Sequence, residues 1–140
     1  MVGKFLLIAA LIVTAACNEG HARTVSKLKI EAVGLSRDPP ERNSDKECKR
    51  FKPTAKQVRN YFNKAYPVEG YMVTTERYSP CYATGSLEFS DGHFGTWRLD
   101  SSGTSSFTFN RGDQVFLFYK HNQWFDPTAC TYGLGDVGKC

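Results

Sequence analysis

An unbroken apolar run occupies residues 5–16 (FLLIAALIVTAA), with Lys4 as the charge before it. The run falls short of the about 20 apolar residues that cross a bilayer. Its order of charge, apolar stretch and small residues is that of an export leader. Leu28, Ile30 and Ala32 then alternate with polar neighbours, which predicts a half-buried first strand over residues 27–35. Residues 36–47 (SRDPPERNSDKE) are polar and carry two prolines, so they read as a loop. Beyond it the period lengthens. Ala55, Val58, Tyr61, Phe62 and Ala65 share one helical face, and Lys56, Arg59, Asn60, Asn63 and Lys64 share the other. Thr54 and Gln57 have capping-box spacing at the start, and Pro67 stops the helix.

From Tyr71 the period falls to two. Residues 72–78, 82–89, 95–99, 105–110 and 114–119 read as strands rich in Thr, Val, Phe, Tyr and Trp, separated by Ser-Pro, Asp91-Gly92, Ser102-Gly103 and Arg111-Gly112-Asp113. Connections this short force antiparallel neighbours. The expected fold is α+β: one amphipathic helix packed on an antiparallel sheet of about five strands and stabilised by disulfides. The chain divides into a signal peptide over 1–16 (1–22 for a later cut), a tether over 17–47 that includes the first strand, and one domain over 48–140.

Five cysteines are too many for an ordinary 140-residue domain, unless their roles differ. Val13-Thr14-Ala15-Ala16-Cys17 resembles the lipobox of bacterial lipoproteins, which implies lipidation at Cys17. Gly20-His21-Ala22 offers a second cleavage site that would release a chain starting at Arg23. Either cut leaves Cys48, Cys81, Cys130 and Cys140 to pair in an oxidising compartment. Four cysteines allow three connectivities. Cys48 with Cys81 and Cys130 with Cys140 is the expected one, the second closing a short Gly-rich loop. No CxxC pair is present, and no metal or other cofactor is expected.

Formal net charge is only +4. Excess this slight, in an exported chain, argues against nucleic acid as a partner. The cations do cluster on the helix, however, and Lys56 and Arg59 are candidate contacts for a protein partner. Trp124 and Phe125, next to Pro127 in the tail, are the other candidates, since they are expected to be exposed and aromatic anchors are enriched at interfaces.

The order Cys48-x-x-Phe51-x-Pro53-Thr54-x-x-Gln57-Val58-x-x-Tyr61-Phe62, then Ser79-Pro80-Cys81-Tyr82-x-x-Gly85, then Asp91-Gly92-x-x-Gly95-x-Trp97 resembles a group of uncharacterised small exported bacterial proteins, lipoproteins among them. The resemblance implies compartment and fold, and brings no catalytic residue with it.

Candidate chemistry is sparse. His93 and His121 both follow strands and could serve as acid and base on a phosphodiester, with Lys120 stabilising charge. Asp91 and Asp100 flank the same strand as His93 and read as turn formers. No G-x-S-x-G elbow occurs. The expected function is an exported envelope lipoprotein, periplasmic or outer-membrane, that binds a protein partner in the manner of an immunity protein or inhibitor of a toxin or cell-wall hydrolase. The membrane is met only through an N-terminal lipid. The alternative is a small secreted hydrolase or nuclease using His93 and His121.

Overall fold

The computed structural model describes residues 23–42 and 44–131; the leader, Cys17 and Cys140 lie outside them. Its elements run β1 (Val25–Ser36), α1 (Ser44–Cys48), α2 (Ala55–Lys64), β2 (Tyr66–Pro67), β3 (Cys81–Phe89), β4 (Phe94–Asp100), β5 (Thr104–Phe109) and β6 (Gln114–Phe118). The six strands form one antiparallel sheet in the order β1-β3-β4-β5-β6-β2. The expected α+β architecture, one main helix on an antiparallel sheet, is the observed one. The first strand is longer than its alternation predicts and pairs along β3 from Val25↔Phe89 to Ser36↔Cys81. Lys27, Lys29 and Glu31 on this edge strand are exposed, and such charges discourage pairing with another chain.

Helix α2 starts where the capping chemistry places it. The Gln57 backbone N–H donates to Thr54 Oγ1 at 3.2 Å, and the Thr54 N–H donates to Gln57 Oε1 at 2.9 Å. Two N–H groups without helical partners are thereby satisfied. Val58, Tyr61 and Phe62 of α2 are buried, and they meet the inward residues of β3–β6. Phe62 packs on Trp97 and Phe107, at ring distances of 5.6 and 6.3 Å.

Gly85 makes room for Trp97. The two are register partners on β3 and β4, and Trp97 is 3% exposed. A Cβ at Gly85 would lie 2.4 Å from Trp97 Cζ2 and 2.1 Å from the Lys29 carbonyl oxygen. Neither contact is tolerable, and the second is with backbone.

Cys48 and Cys81 are bonded to each other. The bridge ties α1 to the start of β3 across a sequence separation of 33. Closing a loop of that length removes about 4 kcal/mol of unfolded-chain entropy in the loop-closure account. Cys130 is also disulfide-bonded; the expected pairing with Cys140 lies outside the described residues.

Residues 72–78 do not form the expected strand. Met72–Glu76 is a π-helical turn with Val73 buried, closed by the Arg77 N–H donating to the Met72 carbonyl oxygen at 2.9 Å. Thr74 Oγ1 donates to the Gly70 carbonyl oxygen four residues back, at 3.3 Å, a local bond that competes with strand pairing. Arg77 then anchors the segment, its Nη2 donating to the Ser102 carbonyl oxygen at 3.0 Å and its guanidinium 4.9 Å from the Phe118 ring. The short β2 takes the place beside β6.

A methyl group at Gly85 would overpack the β1–β3–β4 contact. Gly85→Ala should cost about 3 kcal/mol, read as a lower urea midpoint with an unchanged slope. A neutral result would show that Trp97 and the β1 backbone are free to shift.

Candidate functional site

Lys56, Asn60 and Lys64 are four residues apart and therefore line up on the solvent side of α2. Facing them is the segment that leaves β6. The Tyr119 N–H donates to the Gly103 carbonyl oxygen at 3.0 Å, and Asn122 Nδ2 donates to the Tyr119 carbonyl oxygen at 3.3 Å. Gly103 has φ +89°, and a Cβ there would come within 2.7 Å of the Tyr119 oxygen. A glycine is thus required for this segment to dock as it does. Between the helix and the segment runs a groove of about 590 Å³, with Lys56, Lys64 and His121 among its lining and no carboxylate. The Lys64 ammonium lies 5.9 Å from the Tyr119 ring, and Tyr119 stacks edge-on with His121 at 5.9 Å. Amides and hydroxyls complete the walls, so the groove presents positive charge together with many neutral hydrogen-bonding groups. Such a surface suits an anionic or strongly polar ligand face.

The sequence-predicted residues fall into separate places. Lys56 and His121 meet in this groove. Arg59 does not join them: its Nη1 donates to the Val25 carbonyl oxygen at 2.6 Å, beside the Val25 N–H that donates to Asn63 Oδ1 at 2.8 Å. Arg59 clamps β1 to the helix instead of facing solvent. Trp124 is not exposed either. It is 7% accessible, packs on Phe51 and Tyr61 at 5.9 and 5.7 Å, and donates from Nε1 to the Ser101 carbonyl oxygen at 2.9 Å. Both ends of the indole are satisfied inside the fold. Phe125, its neighbour, is exposed as expected, with the Arg50 guanidinium 4.3 Å above its ring.

His93 and His121 do not form an acid–base pair. His93 precedes β4 in the β3–β4 turn, whereas His121 follows Phe118, the register partner of Thr104 near the far end of β4. Seven strand residues separate the two ends, or roughly 20 Å. Lys120, exposed beside His121, is equally remote from His93. The His93 backbone N–H donates to Asp91 Oδ1 at 3.0 Å, and that bond holds the Asp91 carboxyl below its ordinary range. His93 is thus built into its turn.

Asp100 stands at the opposite end of β4 from Asp91 and His93, so the three do not converge on one metal, and the described residues contain no cluster of three His, Cys, Asp or Glu side chains suited to a metal. Asp100 is not a surface turn former. Its side chain is 1% exposed and accepts a hydrogen bond from Arg37 Nη2 at Oδ1; Arg98 Nε lies 3.8 Å from the same oxygen, and Thr104 Oγ1 donates to Oδ2 at 3.3 Å. Burial lifts its carboxyl above the ordinary range, while Arg37 and then Arg98 oppose the rise. Beside it the hydroxyls of Ser79 and Ser101 sit 2.7 Å apart, and Ser101 Oγ donates to Asp126 Oδ1 at 2.7 Å. Among the described residues no histidine or lysine is hydrogen-bonded to these serines, and the Asp126 carboxylate that Ser101 meets is itself held by Thr128.

Compared with known proteins, the chain matches no family model, no curated sequence and no solved structure. The functional reading therefore rests on the sequence and geometry of the chain itself.

Trp124→Ala should destabilise the fold by about 4 kcal/mol, and Phe125→Ala by no more than about 1 kcal/mol, as measured by chemical denaturation. Equal effects would contradict the different burial of the two rings. Asp100 yields a pH prediction. Because folding raises its pKa, the stability it contributes is present below the unfolded-state value of about 3.9 and is lost as pH rises through the folded-state value. The stability difference between the native chain and Asp100→Asn should therefore shift against the native chain as pH rises from about 4. A flat difference would show that Arg37 and Arg98 cancel the effect of burial, and one that moves the other way across acidic pH that they outweigh it.

Proposed function

We propose that this chain is an exported binding module whose contact surface is the cationic groove between α2 and the segment after β6. The observation that carries the reading is the convergence of Lys56, Lys64 and His121 on one concavity with no carboxylate in its lining. Its ligand is an acidic surface of a protein partner, and the concrete form is an immunity or inhibitor protein. Glycan-cleaving cell-wall enzymes work through paired carboxylates in a cleft, and a cationic surface rich in amide donors complements such a cleft. Attraction between these faces speeds encounter and weakens with salt.

Export supports the same reading. The apolar run over 5–16 and the four pairing cysteines Cys48, Cys81, Cys130 and Cys140 belong together in a protein made for an oxidising compartment. Cys17 carries the lipid that holds the module at the membrane face, periplasmic or outer-membrane; cleavage after Ala22 gives a released form instead. A small hydrolase using His93 and His121 loses its support with the separation of those residues.

The test is affinity capture from envelope extract with the processed, disulfide-bonded protein and with Lys56→Glu/Asn60→Glu, which reverses the groove's charge without touching Lys64 or the helix cap. The native protein should retain a specific acidic partner that raised ionic strength releases, and the variant should lose at least about tenfold in affinity, or about 1.4 kcal/mol. Recovery of no specific partner, or equal capture by both proteins, would sink the proposal. Intact mass of the processed protein reads the lipid, the cleavage site and the disulfides together.

A further inference from the structure

At the C-terminal end of α2 the helix does not cover the whole inward face of the sheet. Phe62 and Ala65 form one wall of a second cavity, of about 410 Å³, whose floor is Phe107, Phe109, Val115 and Leu117. Phe107 and Phe109 are edge-to-face at 4.8 Å, so the floor is firm. Val115 and Phe109 are only half-buried, and the mouth opens beside them. The size falls within the range of small-molecule sites, about 300–1,000 Å³, as does the mainly apolar lining with a few polar groups.

Charge on this cavity is confined to its rim. Arg23 and Lys64 both line it, and no acid does. The Arg23 guanidinium lies 5.8 Å from the Phe89 ring and 5.7 Å from the Phe109 ring, with Nε held by Asp91 at 2.9 Å. That pairing uses one edge of the guanidinium and leaves the other nitrogens for a second acceptor. Lys64 is exposed at the last turn of the helix. The partial negative charge of a helix C-terminus is about half an elementary charge, which the Lys64 ammonium outweighs even with Arg23 matched by Asp91. An apolar interior under a cationic rim is complementary to an amphiphile with an anionic head.

We infer that this aromatic cavity is a binding site for a single-chain fatty acid, with the acyl chain on Phe107, Phe109 and Val115 and the carboxylate at Arg23 and Lys64. The site differs from the cationic groove in its floor and in Arg23, meeting it only at Lys64. Its occupancy needs no protein partner. An exported protein works beside membranes and their breakdown products, so free fatty acid is the acyl source that a small cavity of this kind would meet.

Laurate below its micellar concentration is the probe, followed by calorimetry and by methyl NMR shifts of Val115 and Leu117 in the processed protein. Saturable one-to-one binding that moves those methyl signals is expected. Val115→Trp fills the mouth and should weaken laurate by at least about tenfold, while Arg23→Gln should weaken laurate by a similar factor and leave dodecanol unchanged. Circular dichroism and thermal melting verify that each variant is folded; should Val115→Trp fail to fold, Val115→Phe takes its place. Absence of saturable binding overturns the inference, as does binding untouched by the variants or a protein that dimerises through this face and excludes laurate. None of these outcomes bears on loss of an acidic partner by the Lys56→Glu/Asn60→Glu variant, whose substitutions lie outside this cavity.

Discussion

A phenol removed from water must satisfy its hydroxyl within the protein, and Tyr61 does so by joining parts of the fold that are far apart in sequence. Its hydroxyl donates to the Leu117 carbonyl oxygen at 3.1 Å and stands 3.0 Å from Ser105 Oγ. Its ring is edge-on to Phe62 at 5.0 Å and to Tyr119 at 6.4 Å, and it tilts against Trp124 at 5.7 Å. Burial holds the hydroxyl protonated far above the ordinary phenol range. One side chain of α2 thus fixes β5, β6 and the tail relative to the helix. Both cavities beside α2 depend on that placement. Rotating the helix about its axis would move the α2 walls of both, and the hydroxyl bonds of Tyr61 resist the rotation because a buried, unmatched hydroxyl costs about 1–3 kcal/mol.

The two ends of the sheet are built from different materials. At the end of β4 and the start of β5 lie Asp100, Ser101, Ser102 and Thr104, all at most 1% exposed, with the Cys48–Cys81 bridge on the same side. Polar groups so deeply placed are tolerable only when bonded, and Arg37, Arg77 and the indole of Trp124 supply bonds from three separate chain segments. Hydrogen bonding therefore specifies the geometry at this end. At the other end Phe89, Phe107 and Phe109 pack ring on ring, and shape alone fills the space. A cavity that accepts an apolar guest belongs at the second end, where no directional bond has to be broken to admit it.

Local pattern made the helix and four of the five expected later strands legible, because each has its own period and its own start and stop residues. Residues 72–78 show the limit. Alternating Val, Thr and Tyr fits a strand, yet the slot beside β6 is taken by Tyr66–Pro67, and the choice between them depends on Arg77 reaching Ser102. Trp124 was unreadable for the same reason: its burial depends on the tail folding back over Phe51 and Tyr61, contacts that no local signal encodes. Arg59 sits on the polar face of α2, as its spacing predicts, but β1 passes under that face and claims the guanidinium. Asp100 differs from Asp91 only in what covers it. Arg37, which covers it, comes from a loop that composition alone assigns to solvent.

Groups that carry chemistry are scattered in this fold, and the scatter bears on what it can do. Acid–base catalysis needs its groups within hydrogen-bond reach of one bond. Of the two histidines among the described residues, His93 is committed to a turn at one end of the sheet and His121 lies beyond the opposite end. Buried serines bond to one another and to Asp126, while Lys56 and Lys64 line concavities whose described walls hold no carboxylate. Binding asks less: complementary charge, a shaped surface and a rigid support. The capped helix, locked by Tyr61 onto a sheet braced by a disulfide, provides the support, and the groove and cavity on its flanks provide surfaces of contrasting character. On the proposed reading this frame holds ligands in place, and the two recesses that flank α2 suit ligands of different chemistry.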